Sequence, residues 1–226
     1  METFQRFEKK YLLDEAQYRS LKEKIEPHVE PDRFSRTAIR SLYYDTDTFQ
    51  LIRRSIEKPE YKEKLRVRSY GEAKQDDKVF VELKKKYDGI VYKRRTKARY
   101  GELMEDIRNC EYKDPQVAGE IRYVLDLYPG LRPKIYVGCD RTSYVGKEDE
   151  GLRITFDRDI TYRMKDLSLH SSSKDRKLTD DTVMELKIAG AMPLWLAAIL
   201  DEVKAYPRGF SKVGTAFLKE VEGVRS

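Results

Sequence analysis

The sequence predicts an α+β fold, a closed antiparallel β-barrel of about eight strands with helices at its periphery. Three observations predict it. Apolar and polar residues alternate with period two over repeated runs of strand length. Short stretches of helical periodicity fill the connections between those runs. In several strands the polar side is ionic and mostly cationic, unlike the mixed polar face of an ordinary half-buried strand.

Taken in order, strands are expected over 4–12, 36–46, 62–71, 78–87, 89–99, 133–145, 151–158 and 182–190. Helices are expected over 14–26, 48–55, 100–109, 114–127, 193–205 and 212–221. Asp14 is placed to cap the first helix, and Pro193 suits the first turn of the fifth. Asp88-Gly89 between two alternating runs signals a tight hairpin. The polar stretch from Ser171 to Asp181 reads as a mobile loop between strands. No internal repeat and no Ser- or Gly-rich linker divides the chain, so residues 1–226 are expected to form one domain.

The ionic sides carry the functional information. Lys62, Lys64, Arg66 and Arg68 share one side of their strand, with Leu65 and Val67 on the other. Glu82 and Lys84 oppose Val79, Val81 and Leu83, while Lys93, Arg95, Lys97 and Arg99 alternate along the next strand. Glu185 and Lys187 oppose Met184, Leu186 and Ile188. Like charges crowded inside a barrel repel and lose hydration, at a cost of several kcal/mol per ion unless something compensates. A chain of phosphates would compensate, since guanidinium forks match phosphate oxygens and ammonium groups add point charge. Glutamates among those bases suit a hard divalent cation that bridges phosphates.

The bulk composition is consistent with an anionic partner. Lys and Arg total 46 against 40 acids, a net charge of +6. Hydrophobic residues make up 39% and charged residues 38%, yet 16 Tyr and 8 Phe leave enough apolar surface for a core and argue against disorder. The two cysteines, Cys110 and Cys139, form no disulfide framework and are expected to be buried and inert. No run approaches the roughly 20 apolar residues of a membrane span, and METFQRFEKKYLL lacks the apolar stretch of a signal peptide. A soluble, cytoplasmic protein is expected.

The order of motifs resembles the VTC domain, the polyphosphate polymerase domain of the triphosphate tunnel metalloenzyme superfamily. The motifs are RFEKKYLL at 6–13, SLYYDT at 41–46, KLRVRSYG at 64–71, VFVELKKK at 79–86 and GIVYKRR at 89–95. CDRTSYVG at 139–146, LRITFDRDI at 152–160, VMELKI at 183–188 and FSK at 210–212 complete the series. Each alone is common; their order over nearly the whole length carries the resemblance.

The resemblance implies phosphate-binding and catalytic roles for Lys10, Arg66, Arg68, Lys84, Arg141, Arg153, Lys187 and Lys212. It adds Lys93 and Arg95 to the phosphate ligands, with Arg94 left open by alternation against motif alignment. It implies Glu185 as a ligand of Mn2+ or Mg2+, with Glu8 or Glu82 beside it. Two positions depart from the pattern. Arg6 stands where the wider superfamily opens with a glutamate, and Gly209 stands where eukaryotic members often carry a lysine, leaving Arg208 as a substitute. Tyr43 and Tyr44 are read as packing residues.

The implied reaction transfers the γ-phosphate of ATP to phosphate or a growing polyphosphate chain. The same charges would serve a triphosphatase or polyphosphatase, or a binding module without turnover. Nucleic-acid binding predicts bases interleaved with stacking aromatics, whereas these strands set aliphatics opposite their charges, so no nucleic-acid partner is expected. The sequence leaves open the oligomeric state and a separately encoded membrane partner.

Overall fold

The computed structural model describes residues 6–57, 59–88, 90–221 and 223. Among them lie nine strands: β1 (Arg6–Leu13), β2 (Val29–Asp45), β3 (Tyr61–Tyr70), β4 (Lys78–Tyr87), β5 (Ile90–Arg99), β6 (Arg132–Gly146), β7 (Arg153–Arg163), β8 (Arg176–Lys177) and β9 (Thr182–Ala189). Six α-helices accompany them: α1 (Glu15–Ile25), α2 (Gln50–Glu57), α3 (Tyr100–Asp106), α4 (Pro115–Leu127), α5 (Leu194–Glu202) and α6 (Lys212–Val221). The fold is a sheet-dominated α+β structure. Its strand order is β1-β9-β7-β6-β2-β3-β4-β5, with β8 paired to β7.

The expected closed barrel is corrected to an open sheet. Among the described residues no ladder joins β5 back to β1, the two ends of the order. Alternation fixes which face of a strand is apolar, because the side-chain period is two, but it does not specify whether two end strands pair. β5 is blunted as an edge by the exposed cations Lys93, Arg94, Arg95 and Lys97.

Element positions otherwise follow the pattern closely. Asp14 caps α1 in a reciprocal box, its Oδ1 accepting from the Gln17 amide (2.8 Å) while its own amide donates to Gln17 Oε1 (3.1 Å). Tyr87 pairs with Ile90, leaving two residues for the hairpin, and Asp88 takes the left-handed φ of 43°. Gly89 lies outside the described residues, as do positions 4 and 5 of the first expected strand. Several boundaries differ: β7 runs to Arg163, past the expected end at 158, α3 and α5 end early at Asp106 and Glu202, and β8 lies within the stretch 171–181 expected as a loop. Pro193 sits just before α5 as its N-cap residue. β2 begins at Val29, seven residues before the expected start at 36; Glu30 to Arg36 is largely polar and exposed and so shows no buried alternation.

The chain comprises two compact units. The first contains 1–38, 139–160 and 179–211. Its core sets Tyr11 and Leu13 of β1, Ile154 and Phe156 of β7, and Met184, Leu186 and Ile188 of β9 against Tyr18, Leu21 and Ile25 of α1 and Leu196 and Leu200 of α5. The second contains 39–138, 161–178 and 212–226. There Leu65, Val67, Val79, Val81 and Leu83 pack with Leu51 of α2, Leu103 of α3, and Ile121 and Val124 of α4. Each such buried aliphatic contributes about 1.5–3 kcal/mol of burial. In both units helices cover the apolar strand faces, which leaves the ionic faces on the opposite side of the sheet.

Candidate functional site

In the second unit, four ionic strand positions converge on Glu82. The register places Tyr43 opposite Arg66, Arg66 opposite Glu82, and Glu82 opposite Arg95, one row across β2, β3, β4 and β5. Glu82 is 1% exposed. Its Oε2 accepts from Arg66 Nε (2.7 Å) and Nη2 (2.6 Å), and its Oε1 accepts from Arg95 Nε (2.7 Å) and also from Arg95 Nη2. Lys93 Nζ stands 3.6 Å from Oε1 and Arg68 Nη1 3.9 Å from Oε2. Burial pushes the Glu82 carboxyl up, but Arg66, Arg68, Lys93 and Arg95 overcome that and hold it well below the usual carboxylate range.

The tyrosines belong to this cluster. Arg66 Nη1 donates to the Tyr43 hydroxyl (2.9 Å), and Arg95 Nη2 to that of Tyr70 (2.8 Å). Burial raises the Tyr43 phenol, but Arg66, Arg68 and Lys64 bring it down to about 8. Arg95 also stacks over Phe80 at 4.2 Å. The next row is purely cationic: Lys64 lies opposite Lys84, and Lys84 opposite Lys93. Arg94 is resolved by the same geometry. It leaves the ionic face and donates to Glu120 of α4 (2.8 Å), which Lys85 also approaches at 3.3 Å. Lys212 opens α6 and is half-buried.

The first unit gathers Glu8, Lys10, Arg153, Glu185 and Lys187 on β1, β9 and β7. Two register rows hold them. Glu8 lies opposite Lys187 and Lys187 opposite Arg153; Lys10 lies opposite Glu185 and Glu185 opposite Thr155. Glu185 interacts with the Glu8 carboxyl. Burial pushes Glu185 up, and the Glu8 hydrogen bond with the charges of Lys187, Lys10 and Arg141 brings it well below its usual range. Lys10 Nζ lies 4.0 Å from Glu8 and donates to the Phe210 carbonyl (3.3 Å). The exposed Arg208 anchors its amide on the Lys10 carbonyl (2.7 Å).

Arg141, on β6, is clamped by Asp157 through Nε–Oδ1 (2.6 Å) and Nη2–Oδ2 (2.7 Å), and its Nη2 is 3.8 Å from Glu185. Arg153 is more exposed, with Nε 3.8 Å from Asp32. Asp157, 1% exposed, was missed by the sequence reading although Arg153, Thr155 and Asp157 alternate on one side of β7. Tyr43 was read as packing, and Tyr70 was not singled out. The two cysteines are buried and unpaired with each other, and burial pushes the Cys110 thiol up, which makes it a poor nucleophile.

The donors of the first unit fit a hard cation. Two carboxyl groups face each other, Glu8 with its side chain 35% exposed and Glu185 with 14%. The buried Thr155 hydroxyl, opposite Glu185, has no hydrogen-bond partner. This set is all oxygen, and no group of three His, Cys, Asp or Glu that could hold a metal occurs among the described residues. Mg2+-type ions characteristically take one or two carboxylates and complete their shell with water and phosphate.

These features define an α+β protein with an antiparallel sheet and two charge-lined strand clusters. The chain belongs to the VTC domain family, whose pattern matches residues 5–219. Among solved structures, a candidate adenylate cyclase from Bacillus halodurans shares the fold at a TM-score of 0.56 with 14% identity, covering 90% of this chain and 92% of that one. A Pyrococcus horikoshii OT3 protein aligns at a TM-score of 0.49 with 15% identity, covering 96% of this chain and 100% of its own. A candidate adenylate cyclase from Vibrio parahaemolyticus aligns at 0.48 with 12% identity, covering 95% and 99%. No curated protein sequence matches the chain. No described helix is long and apolar enough to cross a membrane.

Proposed function

We propose that the protein is a metal-dependent polyphosphate polymerase that transfers the γ-phosphate of ATP to phosphate or a growing polyphosphate chain. The observation that carries this reading is the pair of cation-rich strand clusters, built around carboxylates, in a chain of the VTC family. The match over 5–219 supports reading residues 1–226 as one VTC-like domain. Two buried free thiols agree with a reducing, cytoplasmic setting.

In the transfer, an oxygen of the acceptor phosphate attacks the γ-phosphorus as the bond to the β–γ bridging oxygen breaks, and ADP leaves. The transition state is largely dissociative, so alignment and charge stabilisation do most of the catalysis. Each cluster by itself would neutralise phosphate oxygens, through Arg66, Arg68, Lys84, Lys93 and Arg95 in the second unit and through Lys10, Arg141, Arg153 and Lys187 in the first. Lys212 adds a further cation for the phosphates. Glu185 and Glu8 would hold Mn2+ or Mg2+, which supplies charge neutralisation on phosphate oxygens when bound. No nucleophilic side chain is required.

The test is incubation of pure protein with ATP and Mn2+, with separate assays for polyphosphate and free phosphate. Polyphosphate that disappears in Glu185→Gln is the expected result. Free phosphate without polymer would replace this reading with a triphosphatase. Neither product, with ATP still bound, would leave a binding module.

A further inference from the structure

The two arginines best placed to grip phosphate in the second unit are long side chains that would lose rotamer freedom on binding an anion. The structure removes that freedom beforehand. Glu82 gives one oxygen to each: Oε2 to Arg66 (2.7 and 2.6 Å) and Oε1 to Arg95 (2.7 Å). The far amino group of Arg66, Nη1, is held separately by Tyr43 (2.9 Å), while Arg95 Nη2, which Glu82 also holds, donates in addition to Tyr70 (2.8 Å). Each guanidinium is thus fixed from two sides and still has N–H groups to donate. A carboxylate with both oxygens occupied by arginine and 1% exposure offers little to a metal ion.

We propose that Glu82 is a positioning residue that sets Arg66 and Arg95 as a preformed pair of phosphate forks, with Tyr43 and Tyr70 as their outer holds, and that Glu82 does not ligate the metal. This rests on the phosphate chemistry proposed above. It makes a prediction opposite in sign to simple electrostatics. Deleting a carboxylate beside an anion site strengthens anion binding by Coulomb's law alone, whereas loss of a positioning group weakens it, because the ordering must then be done on binding.

The experiment is calorimetric titration of tripolyphosphate in EDTA with the wild-type chain, Glu82→Gln and Tyr70→Phe, and Mn2+ titration without phosphate. Metal-free affinity should fall by about tenfold in Glu82→Gln and by roughly two- to fivefold in Tyr70→Phe, with Mn2+ binding intact. Unchanged or tighter tripolyphosphate binding in Glu82→Gln overturns the proposal, as does loss of its Mn2+ binding. If Glu82→Gln fails to fold, Tyr70→Phe decides. Tyr70 is 48% exposed, and the substitution keeps its ring while removing the hold, so unchanged affinity overturns the proposal. If the wild-type chain binds no tripolyphosphate, the polymerase reading fails by itself. The positioning claim then stands or falls on the Arg Nε–Hε nuclear magnetic resonance signals. Two protected signals that vanish in Glu82→Gln support it, and their persistence overturns it.

Discussion

The two charged clusters use carboxylates in opposite ways. In the second unit a single buried carboxylate, Glu82, is surrounded by Arg66, Arg68, Lys93 and Arg95, so cations outnumber acids and the acid is saturated. In the first unit two carboxyls, Glu8 and Glu185, meet each other beside the charges of Lys187, Lys10 and Arg141. A carboxylate held by arginines acts as a strut. A pair of facing carboxyls offers its oxygens to a divalent ion. Residue type alone does not separate these roles; the number and sign of the neighbours do.

The largest effect expected from this contrast is at Glu185. Glu185→Gln should lower Mn2+-dependent turnover more than about 100-fold while sparing much of the metal-free tripolyphosphate affinity. An equal loss of affinity in EDTA would erase the distinction between the clusters. Next come the cations. Arg66→Ala should weaken triphosphate binding by on the order of 100-fold and Lys187→Ala by about tenfold, each with little change in thermal midpoint. Glu82 keeps three other cations when Arg66 is removed; a collapse of the apo midpoint in Arg66→Ala would show that the strut needs all four.

Acid should act in part through the saturated carboxylate. Glu82 titrates lower in the folded chain than its ordinary 4.5, so the unfolded chain takes up the proton first. The stability Glu82 confers is therefore complete above about pH 4.5 and is lost as pH falls towards its folded value. Thermal midpoints measured downward from pH 5 should drop in the wild-type chain and drop less steeply in Glu82→Gln. Parallel curves would assign acid sensitivity to other groups. The smallest effect is expected at Arg94, whose partner Glu120 lies on α4. Arg94→Ala should cost about 0–1 kcal/mol and leave tripolyphosphate affinity unchanged, whereas Arg95→Ala should lower it. Equal losses in titrations of the two variants would contradict the facing seen here.

Much of this arrangement was legible in the sequence, because alternation is a local property. Arg66 and Arg68, Glu82 and Lys84, and Glu185 and Lys187 all read correctly as ionic-face residues from spacing alone. Arg94 against Arg95 needed the register with β4, which places Glu82 opposite Arg95. Asp157 could have been found by extending the same period two from Arg153. Tyr43 could not, since its phenol gains its role only from Arg66 across the ladder. Closure of the sheet was equally illegible, because it depends on whether the end strands β1 and β5 hydrogen-bond, and no local pattern encodes that. The early start of β2 was hidden by its polar, exposed sequence, which lacks a buried face to produce alternation.

The row in which Lys64, Lys84 and Lys93 stand opposite one another has a consequence for how the chain lives with its solvent. Three ammonium groups side by side on adjacent strands oppose the pairing that holds them together. Any multivalent anion that settles on the row relieves the strain and favours the folded chain over the unfolded one. The same lysines that recruit phosphate thus make the folded population a gauge of how much polyanion surrounds it.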